Sequence, residues 1–356
     1  MSWTLVPARE LVARSAAWDY CALQCNAVPF FRSAFLLSLL TEFSTAHELV
    51  ALYGDPERPE SVAIVQPGGA GRWQTFQPSQ LPLGAWVSAV DTDLVERAGA
   101  LLCSLPGLAL SLGVTQLDPA LCPRPPVHRL LRLQPYVDTS FVEVVGSFDD
   151  YWNSRGKNLR QNTRKLRRRL CADGVTVRLD CVRDSAGLTL ALAQFAALEE
   201  AGWKAQTGTS VGVSDPQGCF YRSMLMEFCR TGNGRVYRYW IGDRVAAMDL
   251  CIDSGSLVVI LKTAYDETLG HLSPAVLMRE ELFRSWWLEG RFQRIEFYGR
   301  TMEWHTRWTD SQRSLYHATI FRLSGLRELR QVFANWPNRH RSPSLGTRPA
   351  GVAHEA

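Results

Sequence analysis

Between residues 175 and 333 the chain runs through an order of elements that is not generic. Val175, Val177, Leu179 and Cys181 alternate with polar residues, the period of a half-buried strand. Ser185–Ala205 and Phe220–Arg230 carry helical periodicity, and three β-rich runs follow: Arg235–Ile241, Val245–Ile252 and Leu257–Ala264. Gly242-Asp243-Arg244 and Asp253–Ser256 supply the hairpin turns between them. Ser273 and Pro274 stand at the N-cap and first position of a helix over Ser273–Leu288. Strands over Phe292–Tyr298 and Leu315–Leu323 and a short helix over Ser324–Phe333 complete the series. Strand, two helices, three-strand meander, helix, strand, strand predicts an α/β protein with a mixed (α+β) sheet.

At 356 residues the chain has room for two domains or one large double-layered unit. Hydrophobic residues at 46% against charged residues at 21% exclude a wholly disordered chain. Residues 1–135 read more weakly as mixed α/β. Phe31, Phe35, Leu39 and Phe43 share one face of a helix over Phe30–Phe43, and Thr92–Leu105 is a second helix. Leu49–Tyr53, Ser61–Gln66, Trp73–Phe76 and Ala109–Leu112 are candidate strands, and Pro119–Pro126 is a loop or hinge. The Pro-, Gly-, Ser- and Arg-rich stretch after Trp336 is expected to be disordered.

The net charge of +4 conceals an uneven distribution: Arg155–Arg169 holds eight basic residues and no acidic one, leaving the remainder at −4. A generally basic, nucleic-acid-coating surface is therefore not favoured. The cassette lies on a helix over Asn153–Cys171, with Leu159, Leu166 and Leu170 as its apolar stripe and Arg160, Arg164, Arg167 and Arg168 together on its polar face. Repulsion among these like charges is relieved by an external anion, for which guanidinium is suited, or by remote carboxylates. The N-terminal residues have no apolar run after a basic start, no apolar stretch reaches the length of a membrane span, and nine scattered cysteines form neither a Cys-x-x-Cys pair nor a zinc pattern. These features predict a cytoplasmic protein without a transmembrane segment or a metal.

Five strings, in order, carry a family resemblance: Phe148–Leu170, Gly234–Ala247, Leu261–Glu267, Ser273-Pro274 and Gly299–Trp308. Together they resemble the CelD/BcsL-type GNAT acetyltransferases, associated with cellulose biosynthesis, and more distantly the Fem-type aminoacyl-tRNA-dependent transferases, built from two GNAT units in tandem. Asn26–Phe35 is similar to the first unit of such tandems. The resemblance implies tandem GNAT-like acyltransferase folds: a degenerate unit over residues 1–140, a C-terminal unit over 141–336 and a disordered tail over 337–356. It also implies acyl transfer from acetyl-CoA or another acyl-CoA, as co-substrate, to an amine or hydroxyl of a sugar, cell-envelope or exopolysaccharide precursor. The acceptor is then a small-molecule or lipid-linked sugar, with a nucleotide-sugar or tRNA as further partners. Two positions depart from the family: Ala275 follows Ser-Pro where glycine is usual, and Trp304-His305 replaces Tyr-Lys.

GNAT enzymes cradle the CoA pyrophosphate on backbone N–H groups where a loop opens a helix. The matching segment is Asp266–Pro274, where Gly270 permits close backbone approach, His271, Ser273 and Ala275 surround the opening, and Lys262 lies beside it. An ordinary capped helix explains the same string. Direct acyl transfer needs a base for the nucleophile and an acid for the leaving thiolate. Asp249, in an apolar run, is the candidate base, unless it pairs with Arg or Lys across the sheet. Tyr265 is the candidate acid, and His305 the replacement for the family lysine, with Arg307 beside it in an acceptor pocket. Arg160, Arg164 and Arg167 are candidate phosphate ligands. Aminoacyl transfer from tRNA, and a non-catalytic binding protein on the same fold, are the alternative functions.

Overall fold

The computed structural model describes residues 1–201 and 215–326. The predicted short helix over Ser324–Phe333 and the C-terminal tail lie mostly or wholly outside those residues, as does the end of the predicted Ser185–Ala205 helix. The strands are β1 (Trp3–Pro7), β2 (Leu49–Asp55), β3 (Arg58–Pro67), β4 (Arg72–Thr75), β5 (Trp86–Ser88), β6 (Ser111–Leu117), β7 (Leu131–Glu143), β8 (Val177–Val182), β9 (Gly234–Ile241), β10 (Arg244–Ser254), β11 (Leu257–Tyr265), β12 (Arg294–Glu296) and β13 (Gln312–Phe321). All thirteen join one mixed sheet in the order β1-β2-β3-β4-β6-β13-β7-β12-β11-β10-β9-β8, with β5 alongside β3. The helices are α1 (Leu11–Gln24), α2 (Ser33–Phe43), α3 (Leu94–Ser104), α4 (Phe148–Ser154), α5 (Lys157–Ala172), α6 (Ser185–Ala201), α7 (Pro216–Arg230), α8 (Pro274–Glu289) and α9 (Glu303–Thr306).

The order predicted for the second half is present, and it occurs twice. Strand β1, helices α1 and α2, meander β2-β3-β4, helix α3 and strand β6 repeat as β8, α6 and α7, β9-β10-β11, α8 and β12. In each copy the last strand of the meander meets the strand after the helix in parallel: β4 with β6, and β11 with β12. The final strands are exchanged. β7 runs antiparallel to β12, β13 runs antiparallel to β6, and β7 and β13 pair with each other at the centre. One sheet thus passes through both copies without an edge between them.

The helices cover both faces of the sheet. Helices α1, α2, α6 and α7 share one core, in which Phe35 meets Phe220 edge-on at 5.2 Å and Phe43 meets it at 6.1 Å. On the other face α3 buries Leu94, Ala98, Leu101 and Leu102 against the first copy, and α8 buries Leu277, Leu282, Phe283 and Trp286 against the second. The basic segment read as one helix over Asn153–Cys171 is two. Ser147 caps α4, which ends at Ser154, and α5 restarts behind Gly156. The strand expected over Phe292–Tyr298 shortens to Arg294–Glu296, because the chain beyond it diverges from β11 and stays with β7. No helix among the described residues is long and apolar enough to cross a membrane.

The two copies differ where β4 and β11 end. Beyond Val259, β11 has no strand partner on its β12 side among the described residues, although it continues to Tyr265. Phe297 and Thr301 instead donate their N–H groups to Ser140 and Asp138 of β7. The two chain segments part there. In the first copy the equivalent gap is filled: Gly84 enters beside Thr115, its N–H 3.0 Å from the Thr115 carbonyl, and Thr75 and Thr115 hydroxyls meet at 2.7 Å. A Cβ on Gly84 would lie 2.3 Å from Thr75 Oγ1 and 2.5 Å from the Thr115 carbonyl oxygen. Gly84→Ala is expected to lower stability by about 1–3 kcal/mol through overpacking, measured by urea unfolding. A parent-like midpoint would mean that the plug is loose.

Candidate active site

The gap in the second copy is built by three elements. β11 forms one wall; the chain after β12, with Phe297, forms the other; α8 roofs the sheet. Leu261 is an extra residue in β11, where the register with β10 shifts from Leu250↔Lys262 to Cys251↔Ile260. The bulge falls just where β11 leaves β12, and bulges bend and twist a strand in this way.

Asp249 of β10 faces this roofed side and is wholly buried. Its cross-strand neighbour Thr263 donates a hydroxyl bond of 2.5 Å, and Arg279 Nη2 from α8 reaches both carboxylate oxygens at 3.0 and 2.9 Å. Asp249 therefore has the cationic partner foreseen as the alternative to a free base. That partner comes from the helix, not from a neighbouring strand.

Arg279 is only 3% exposed, and its Nε has no hydrogen-bond partner. Its guanidinium carbon lies 5.0 Å from the Trp304 ring centre and 5.6 Å from that of Phe297, a cation–π arrangement. Trp304 in turn stacks on His305 with ring centres 3.5 Å apart. His305 Nδ1 accepts the Met302 N–H at 2.8 Å, which leaves the proton of the neutral ring on Nε2. Burial, and then the charge of Arg279, push the His305 pKa down to about 4. Near neutral pH this position holds a neutral imidazole, and the charge of the Arg279 guanidinium is matched by the Asp249 carboxylate.

Asp249 and His305 are thus brought into one layer through Arg279 and Trp304. The other candidates lie elsewhere. Lys262 projects from the opposite face of β11 to the buried Glu199 of α6, 3.3 Å away, and over the Tyr221 ring at 5.6 Å. Tyr265 is exposed at the strand end, and Arg307 is exposed beyond α9.

The loop before α8 departs from a phosphate cradle. Glu267–Leu272 forms a 3-10 turn capped by Asp266, which also pairs with Arg244 at 2.5 Å. Ser273 adopts a left-handed conformation (φ 47°), and its hydroxyl caps nothing. Its N–H is taken by the Gly270 carbonyl and the Val276 N–H by Ser273, while Pro274 has none. Gly270 and His271 are exposed, a Cβ on Gly270 would meet nothing within 4 Å, and Ala275 is partly buried. The close approach expected at Gly270 is therefore not imposed by the fold.

The basic cassette has acidic partners that the sequence alone did not reveal. Arg167 holds Glu280 at 2.5 Å and Glu281 at 3.3 Å, fixing α5 to α8. Arg155 pairs with Asp310 at 3.3 Å, and Arg169 with Asp173 at 3.7 Å. Arg160 donates only to neutral acceptors, the Arg155 carbonyl and Asn153 Oδ1. Arg164 is exposed. The residue that the sequence reading missed is Arg279; it stands in the charged run Arg279-Glu280-Glu281 between Met278 and Leu282, which does not mark it out.

Residues 157–306 match the family described as an acetyltransferase (GNAT) domain. The C-terminal domain (DUF2156) of a putative lysylphosphatidylglycerol synthetase from Agrobacterium fabrum superposes with a TM-score of 0.55 at 13% identity, covering 92% of this chain and 95% of that one. FemX superposes at 0.55 and 11% identity over 93% and 99%. A conserved protein of unknown function from Bacteroides thetaiotaomicron VPI-5482 gives 0.53 and 9% identity over 90% and 99%. At such identities the likeness is one of fold, and it extends over both copies. No curated protein matches at the level of sequence. The expectation of tandem GNAT-like folds on a mixed α/β sheet holds, and the matched domain is that of an acyltransferase.

Proposed function

We propose that the protein transfers an acyl group, with acetyl the first candidate, from acyl-CoA to an amine or hydroxyl of a sugar or cell-envelope precursor in the cytoplasm. The observation that carries this is the parting of β11 from β12 beyond Val259, set inside the segment that matches the acetyltransferase domain. The contact of Gly84 with Thr75 and Thr115 in the first copy supports a donor site in the second copy and a degenerate first unit. The resemblance to CelD/BcsL-type enzymes supports the polysaccharide acceptor.

Acyl-CoA enters with its thioester end beside the Leu261 bulge, where β11 offers backbone to hydrogen-bond an extended chain. Transfer then proceeds by direct attack of the acceptor on the thioester carbonyl: the C–N or C–O bond forms as the C–S bond breaks. The proton the acceptor loses passes through solvent to the leaving CoA thiolate, with the Arg279–Asp249 pair and the neutral His305 Nε2–H facing the same layer. The loop 266–274 contributes few free main-chain donors for the pyrophosphate, so the affinity rests more on the gap than on the loop.

Aminoacyl transfer from charged tRNA is the second reading, favoured by the exposed basic face of α5. A thermal-shift series with acetyl-CoA, longer acyl-CoAs and a tRNA pool separates the two. At a hundredfold excess over Kd a ligand adds about 2.7 kcal/mol, a clear rise in midpoint. No shift with any CoA species sinks the acyl-CoA reading, and a salt-steep response to tRNA replaces it with the second.

A further inference from the structure

The partners of the basic cassette leave part of its charge unspent, and that part is concentrated. Lys157, Arg160, Arg164 and Arg168 lie three, four and four residues apart, one face of α5, and line a cleft of about 570 Å³ between α4, α5 and α8. None of the four has an ion-pair partner among the described residues. The single acid lining the cleft, Glu280, is held by Arg167 at 2.5 Å and by Arg284 at 3.2 Å. Trp152, stacked on Trp308 at 6.0 Å, closes one end.

From Arg160 to Arg168 the helix advances about 12 Å, at about 1.5 Å per residue, more than one phosphate group requires. The volume lies within the range of about 300–1,000 Å³ for small-molecule sites. No large apolar side chain is exposed on α5, so it lacks the apolar face of a helix that inserts into a membrane. The rest of the chain is net acidic, which disfavours a nucleic acid lying across an extended surface.

We infer that this cleft binds the diphosphate portion of the acyl acceptor, with Arg160, Arg164 and Arg168 as its ligands. This rests on the acyltransferase reading for the word acceptor, but not for the site. Arg279 and Glu280 are consecutive on α8, one turned to the gap and the other to the cleft. The diphosphate would therefore sit about one helix diameter, ~10 Å, from the reacting end. A phosphate-activated sugar spans that separation.

Calorimetric titration of the full chain with inorganic pyrophosphate, UDP, farnesyl diphosphate, acetyl-CoA, a tRNA pool and phosphatidylglycerol vesicles tests this. The Arg164→Glu/Arg168→Glu variant removes two exposed side chains that make no hydrogen bond or ion pair among the described residues, so its fold should persist. The expected result is binding of at least one diphosphate by the parent, weakened about tenfold or more in the variant, with acetyl-CoA affinity unchanged. UDP against farnesyl diphosphate then tells a nucleotide-linked source from a lipid-linked one. Equal diphosphate affinity in parent and variant overturns the inference. So does loss of acetyl-CoA binding in the variant, which would make the cleft the donor's site. So too does binding of tRNA or phosphatidylglycerol vesicles without any diphosphate. Diphosphate binding with no acetyl-CoA binding sinks the donor reading and leaves the cleft assignment standing.

Discussion

Asp249→Ala is expected to cost about 3–5 kcal/mol of stability, measured by urea unfolding, because it strands Arg279 in a site from which water is excluded. The guanidinium is 3% exposed, and its Nη2 bonds are to Asp249 and to Thr263, whose hydroxyl is itself held by Asp249. Removing both charges at once, as Asp249→Leu with Arg279→Met, should recover most of that loss, since a buried pair is usually replaceable by apolar groups of similar size. The contrast separates two roles. If Asp249 is a general base whose charge the fold does not need, Asp249→Ala abolishes turnover and leaves the midpoint near that of the parent. The geometry predicts the opposite order: stability falls first, and turnover falls because Arg279 is displaced.

The same pair shows where the sequence is legible and where it is not. Strand β8 could be read from its alternation, and β9 to β11 from β-rich runs set between turn residues, β10 being buried on both faces. Asp249 stood out as a carboxylate in an apolar run. Its partner lies thirty residues on, in a helix covered by the sheet on one side and by α4 and α5 on the other. Arg279 and Glu280 are consecutive and both buried, so α8 shows no clean stripe to mark which face meets the site. Strand β7 was missed for a different reason. Pro135 argues against a central strand, yet it lies beside the register shift between Ser314 and Tyr316, where the ladder bond it lacks is not required. The filled gap of the first copy left no sequence signal beyond one glycine, because the need for Gly84 arises only when Thr75 and Thr115, forty residues apart, are brought together.

Glu296→Gln is expected to stabilise the protein increasingly as pH rises. Glu296 lies where the two copies join, 1% exposed, within a cluster of Asp118, Tyr298 and Arg313. Burial raises its pKa from 4.5 to about 7; Arg313 opposes this, and Asp118, which takes most of the Arg313 bonds, reinforces it. With the folded pKa above the unfolded one, the folded state holds the extra proton. The associated stability is present below pH 4.5, is lost as pH rises through about 7, and changes no further above that. The full swing is on the order of 3 kcal/mol, at 1.36 kcal/mol per unit. His305 tilts the other way: its pKa is depressed from 6.5 to about 4, so its stabilising contribution is lost as pH falls across that range. Between pH 4.5 and 6.5 the two slopes oppose, and the parent's stability should vary little. Glutamine at 296 removes one slope, so urea midpoints of the variant should rise with pH relative to the parent and level off near pH 8. Parallel profiles for the two proteins from pH 5 to 8 would mean that Arg313 fully compensates an ionised Glu296. The junction would then hold two carboxylates, Glu296 and Asp118, against Arg313 and the more distant Arg294.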